Sequence, residues 1–144
     1  MSNEGRFSLS RSEVRCLREI YRQAIENNKK VTSVYLSKVM KIKPPSVIDI
    51  LRKLSKKGLI IRRLWSHIEL TDLGIRKARE ILHHHRVIEE FYIRVIGLDP
   101  ETAHIEASKI DYIVDCKIIS RLYDLIGNPE YCSHGYPFYK GFCR

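Results

Sequence analysis

The chain has 144 residues, 44% of them hydrophobic, enough for a real core in one compact unit or in two small ones sharing a helix. No run approaches the roughly 18 to 20 uninterrupted apolar residues of a membrane span, and the opening MSNEGRFSLSR lacks the apolar core of a signal peptide, so a soluble, cytoplasmic protein with no membrane partner is expected. The formal charge of +9 is uneven: residues 1–72 hold 16 Lys or Arg against 7 acids and residues 73–144 hold 10 of each, which suits one half that faces a polyanion and another with a separate task.

Residues 1–9 read as a loose arm. Ser10-Arg11-Ser12-Glu13 has capping-box form and opens a helix whose apolar positions Val14, Leu17, Tyr21, Ala24 and Ile25 keep a helical period. Asn27-Asn28-Lys29-Lys30 breaks it. Arg15, Arg18 and Arg22 share another face, ordinarily a solvated basic stripe. Thr32 can cap a short second helix on which Val34, Leu36, Val39 and Met40 supply apolar contacts. Pro44-Pro45 can start a third, since the first helical turn does not need the missing N–H, and Gly58 ends it. Val47, Ile50, Leu51 and Leu54 form its buried stripe, leaving Ser46, Asp49, Arg52, Lys53, Lys56 and Lys57 outside.

From Lys29 to Arg63 there are eleven Lys or Arg and a single acid, Asp49. Leu59 to Leu64 and His67 to Leu70 can pair as strands around Trp65-Ser66, presenting Arg62, Arg63 and His67. Helix, turn, proline-started helix, glycine stop and basic hairpin in this order read as a winged helix-turn-helix for double-stranded DNA. Lys43, Pro44, Pro45, Ser46, Asp49, Arg52, Lys53, Arg62 and Arg63 are its expected DNA-facing residues. The start of the second helix of such a motif reaches base edges, while flanking cations neutralise phosphates.

Thr71-Asp72 caps a long helix running to about Val95. Its apolar stripe passes through Ala78, Ile81, Leu82, Ile88, Tyr92 and Val95, with His85 and Glu89 at the centre where carbon would be expected. Four residues apart, these two point the same way, as in helical metal sites and in simple His–Glu hydrogen bonds. His83 and His84 turn away from the stripe and are expected in solvent. Asp99 caps a helix with Pro100 first, an apolar face of Ala103, Ala107, Ile110 and Val114, and a polar line of His104, Ser108 and Asp111. Asp115 caps the last helix, carrying Ile118, Ile119, Leu122, Leu125 and Ile126 as far as Gly127. The apolar faces around residues 100–114 and 116–126 exceed what one short helical layer covers, so a two-fold homodimer is expected.

Among the four cysteines there is neither a C-x-x-C nor a paired zinc-finger spacing, and inert buried thiols are the ordinary reading. Zinc at Cys132, His134 and Cys143 lacks an evident fourth ligand, and a Cys132–Cys143 disulfide is left open by the spacing. His85, Glu89, His104 and Asp111 could serve an enzyme. With no phosphate-binding glycine loop, nucleophile elbow or strand-rich scaffold, none is expected.

The succession PPSVIDILRKLSKKGLI, LTDLGIRKA, HHRVIEEF, IGLDPETAHIEASKI and CSHGYPF, from about Ser12 to Phe138, resembles the diphtheria toxin repressor and manganese transport regulator family of iron-dependent and other metal-dependent repressors. The resemblance implies a mainly α fold: a winged helix-turn-helix DNA-binding domain over residues 1–72 and an all-helical dimerisation and metal-response domain over residues 73–144. It also implies the two-domain form, without the SH3-like domain of longer members, and a sequence-specific homodimeric repressor on a palindromic operator.

The family's ligands fall on His85, Glu89 and His104, with Asp111 at a further ligand position, so one divalent transition metal (manganese, iron or zinc) per subunit, or none, is implied. Other ligand positions depart from the pattern. Arg15 and Arg18 stand where the first helix carries Met or acidic ligands, Ser108 replaces a Cys or Glu, and Tyr112 replaces a His. Arg15 and Arg18 are therefore expected to pair with a carboxylate such as Asp111 or Glu89, substituting for the removable ion. The alternative from another class is a metal-binding or redox-responsive protein whose C-terminal half is the active part.

Overall fold

Helix α1 (Arg11–Tyr21) starts where the Ser10 hydroxyl accepts from the Glu13 amide and the Glu13 carboxylate accepts from the Ser10 amide, both at 3.2 Å. This reciprocal cap satisfies two amides that a helix start leaves orphaned. The computed structural model describes residues 9–63, 67–139 and 141–143. A π-helical turn, Arg22–Glu26, prolongs α1. Thr32 caps α2 (Ser33–Met40), which ends at Lys41 in the left-handed region, and α3 (Pro44–Lys56) begins on its two prolines. Leu36, Val47, Leu51 and Leu54 interlock with Val14, Leu17 and Ile20 of α1 in a first core. Val34, at 74% exposure, is not in it: two residues from Leu36, it lies across the helix from the buried side. Val39 and Ile25 are likewise exposed rather than packed.

Strand β1 (Ile60–Arg62) pairs antiparallel with β2 (Ile68–Leu70), Ile61 opposite Glu69, and the Arg63 amide donates to the His67 carbonyl at 2.7 Å. Leu64 and the expected turn at Trp65-Ser66 lie outside the described residues, as do residues 1–8 of the expected arm. The wing is locked to the long helix α4 (Asp72–Phe91). Thr71 donates through its hydroxyl to the Gly58 carbonyl at 2.6 Å and caps Gly74. A Cβ at Gly74 would sit 1.9 Å from the Leu59 carbonyl oxygen, so only glycine lets α4 start this close to the strand.

Helix α4 serves two cores. Ala78, Ile81 and Leu82 join the first, whereas Val87 and Ile88 join a second with Ala107 of α5 (Pro100–Ile110), Ile119 of α6 (Cys116–Leu125), Cys132 and Phe138. Because α1, α5, α6 and the tail surround it, every residue from 81 to 90 is buried. This overturns the solvated reading of His83 and His84, which are 2% and 4% exposed. Val95 departs in the other direction and is exposed, because α4 passes into a π-helical turn, Tyr92–Ile96, whose wider winding carries the stripe out of phase. Arg86, also buried, pairs with Glu26 at 2.6 Å and donates to the Pro137 carbonyl at 2.8 Å, tying the end of α1 and the tail to α4. No described helix is long and apolar enough to cross a membrane.

Candidate metal centre and DNA-facing surface

The polar residues at the centre of α4 are enclosed by α1 and α5. His85, fully buried, has its Nε2 2.9 Å from Glu89 Oε2 and 3.0 Å from His104 Nδ1. On its other side, Nδ1 lies 3.0 Å from Arg18 Nη1 and 2.9 Å from Asp111 Oδ2. Burial and the adjacent Arg18 charge push the His85 pKa down against the pull of Asp111 and Glu89, which favours the neutral ring. The single proton of the neutral ring can be donated to Glu89 from Nε2 or to Asp111 from Nδ1. Burial alone would raise the Glu89 carboxyl; hydrogen bonds from His104 and His85 outweigh it and hold the group well below the usual carboxylate range.

The guanidinium of Arg18 is 3% exposed. It donates through Nη1 to Asp111 Oδ2 in a short ion pair and through Nη2 to Ser108 Oγ at 3.2 Å. Ser108 in turn donates to the His104 carbonyl at 2.9 Å. One cation thus bridges α1 to α5 at the side of His85. Arg15 does not share in this. One turn earlier, it faces α2 and donates to the Met40 carbonyl at 3.5 Å, so a carboxylate pairing of Arg15 with Asp111 or Glu89 is not found.

His85 Nε2, Glu89 Oε2 and His104 Nδ1 belong to a group whose donor atoms lie within 4.8 Å of one another. Imidazole and carboxylate suit a divalent transition ion, so these three residues fit one. The Asp111 side does not, because Arg18 already brings positive charge against its carboxylate. His134 is the residue that sequence reasoning misplaced: its Nδ1 lies 2.9 Å from Glu89 Oε1, so the tail adds a third imidazole around one carboxylate. The set Cys132, His134 and Cys143 is not assembled. Cys132 is buried in the second core, and Cys143 pairs with Cys116 instead of Cys132. No local signal in the sequence points to the approach of His134 to Glu89, since 45 residues separate them.

In the N-terminal half, Pro44, Pro45, Ser46, Asp49, Arg52 and Lys53 are exposed on α3 with Lys43 exposed at its N-cap, and Arg62 and Arg63 are exposed on the wing. Asp49 pairs with Lys53 at 3.1 Å, neutralising the one acid of the basic stretch, and Glu69 holds Arg63 at 3.1 Å and His67 at 3.3 Å.

Two family models match in tandem. Residues 8–67 match the iron dependent repressor N-terminal DNA binding domain, and residues 71–140 match the iron dependent repressor metal binding and dimerisation domain. An HTH-type transcriptional regulator of Methanocaldococcus jannaschii is 35% identical over 106 residues, covering 74% of this chain and 85% of its own length. The iron-dependent repressor IdeR of Mycobacterium bovis is 29% identical over 93 residues; the match covers 65% of this chain and 40% of IdeR. A manganese-dependent transcriptional repressor in complex with manganese shares the fold at a TM-score of 0.82 and 24% identity, covering 90% of this chain and 59% of that one. The chain belongs to the iron-dependent repressor family, whose members are metal-dependent transcriptional regulators and not enzymes.

Proposed function

We propose that the chain represses transcription as a homodimer bound to a palindromic DNA operator, with a fixed ion pair in place of one regulatory metal. The observation that carries this reading is the Arg18 guanidinium between His85, Asp111 and Ser108. In metal-dependent relatives, as the resemblance implies, an ion at this place ties the first helix to the dimerisation domain and sets the spacing of the two reading helices. Here a permanent cation makes the same tie. His85, Glu89 and His104 can hold at most one divalent transition metal, manganese, iron or zinc, which supplies a further, removable bond between α4 and α5. Residues 1–72 grip DNA and residues 73–144 dimerise, in a cytoplasmic protein; the one-sided charge supports that division.

DNA contacts are assigned to Lys43, Pro44, Pro45, Ser46, Asp49, Arg52 and Lys53 on α3 and to Arg62 and Arg63 on the wing. The test uses duplexes selected from a random pool by the full-length protein. Their affinity should change little when a chelator is added, and calorimetry with manganese, iron(II) and zinc on the protein with its Cys116–Cys143 disulfide intact should find no more than one site per subunit, absent in His85→Ala. Loss of binding on chelation, restored by metal, would show that Arg18 does not replace the ion.

A further inference from the structure

A second cluster lies on the other side of α4 from Glu89. His84, 4% exposed, directs Nε2 to within 2.7 Å of Cys143 Sγ and 3.4 Å of Cys116 Sγ. Cys116 is the first residue of α6 and Cys143 belongs to the tail; their Cα atoms are 4.4 Å apart and their sulfurs form a disulfide. Three separate segments therefore deliver one imidazole and two sulfurs to one point. The contacts described around His85 and the DNA-facing surface use other residues. A crevice lined by Lys77, Glu80, His84 and Asp111 opens beside the cluster.

A disulfide that only stapled the tail to α6 would not need a buried imidazole directed at it. Reduced, the same sulfurs are two thiolates beside a ring nitrogen, the donor set of a tetrahedral d¹⁰ ion with its fourth position left to water. Cys116 gains further thiolate character from the α6 N-terminus, where the helix dipole favours negative charge. We propose that His84, Cys116 and Cys143 form a redox-gated site for a thiophilic divalent ion of the zinc class.

The two states exclude each other because they use the same sulfur electrons. In the gating step a small-molecule disulfide accepts two electrons from the Cys116 and Cys143 thiolates. The protein S–S bond forms, the small disulfide's S–S bond breaks, two protons convert its halves to thiols, and the ion leaves. Reduction by a dithiol restores the site. Oxidative state thereby decides whether Cys143 is fastened to α4 through an ion or to α6 through a disulfide. The tail also carries His134, so the change reaches the side of Glu89.

Cobalt(II) is the probe, because thiolate ligation gives it a sulfur-to-metal charge-transfer absorption that an imidazole and carboxylate site cannot. The full-length reduced protein should bind cobalt with that absorption, zinc should bleach it, and glutathione disulfide should abolish it while the protein loses the mass of two hydrogens. His85→Ala should keep the band, which separates this site from the one at Glu89. Cys143→Ser should lose it, and His84→Ala should lose it or shift it, with far-ultraviolet circular dichroism confirming that each variant is folded. If reduced protein shows no thiolate band, or if Cys143→Ser retains it, the proposal is overturned. Should His84→Ala fail to fold, Cys143→Ser alone decides.

Discussion

Arg18 and Asp111, 93 residues apart in sequence, form an ion pair whose side chains are only 3% and 1% exposed. The pair fastens α1 in the N-terminal half to the end of α5 in the C-terminal half. Arg18 Nε has no hydrogen-bond partner among the described residues, so the guanidinium is held by its two terminal nitrogens.

Breaking the pair from one side leaves a buried charge uncompensated. Arg18→Ala or Asp111→Ala should each cost about 3 to 5 kcal/mol, whereas Arg18→Met combined with Asp111→Leu should recover most of that loss. Urea unfolding of the three variants measures it. A double variant as unstable as the sum of the singles would mean that the two charges are not coupled.

Acid should destabilise the fold in two steps. His83 packs edge-on against Tyr123 and Phe138, and burial lowers its pKa from 6.5 to about 4. Between these values the unfolded chain binds the proton and the folded one does not. Stability therefore falls as pH drops through that window, by an amount on the order of 3 kcal/mol from His83. His85 is shifted the same way and adds to the slope. The depressed Glu89 carboxyl contributes stability that is fully present above its ordinary 4.5 and declines only below it. His83→Phe removes a ring nitrogen that has no partner among the described residues and should flatten part of the upper step, gaining more stability at pH 5 than at pH 8. Thermal melts across this range decide; an unchanged slope would rule out titration of His83.

Ile105, Ile113, Ile118 and Leu125 are 50%, 60%, 50% and 70% exposed on and around α5 and α6. Their burial between two copies is the expected reason for so much outward apolar surface on the neutral half. Light scattering should find a dimer at micromolar concentration, converted to monomer by Ile118→Asp with Leu125→Asp. A wild-type monomer would refute the arrangement.

Affinity for DNA should fall steeply with salt as counterions are released. Replacing Arg62 or Arg63 by Ala should weaken binding to all duplexes alike and lower the salt slope by about 1 each, the effect of Arg63 being moderated by its Glu69 partner. Changes at Ser46 or Asp49, near the start of α3, should instead alter the preferred sequence, and Asp49→Asn additionally releases Lys53 from its ion pair. Fluorescence anisotropy over a salt series distinguishes these; salt-independent binding would exclude the basic face as the contact.

The features legible in the sequence are those set by neighbours along the chain. Ser10, Thr32, Thr71 and Asp99 cap their helices because a short side chain can reach an amide three residues on, and Gly58, Gly97 and Gly127 follow helix ends with φ of 75°, 82° and 86°. The His85–Glu89 spacing likewise placed two donors on one face before any fold was known. Sequence alone could offer Arg18 a carboxylate but not choose between Asp111 and Glu89, and it could not tell that Arg15 would face α2. Nor could it tell that His84 would meet Cys116 and Cys143, or that His134 would reach Glu89. These outcomes depend on which helices surround α4 and where the tail returns. Such contacts join residues far apart in sequence, so local periodicity carries no trace of them, and only packing the helices around α4 brought the atoms together.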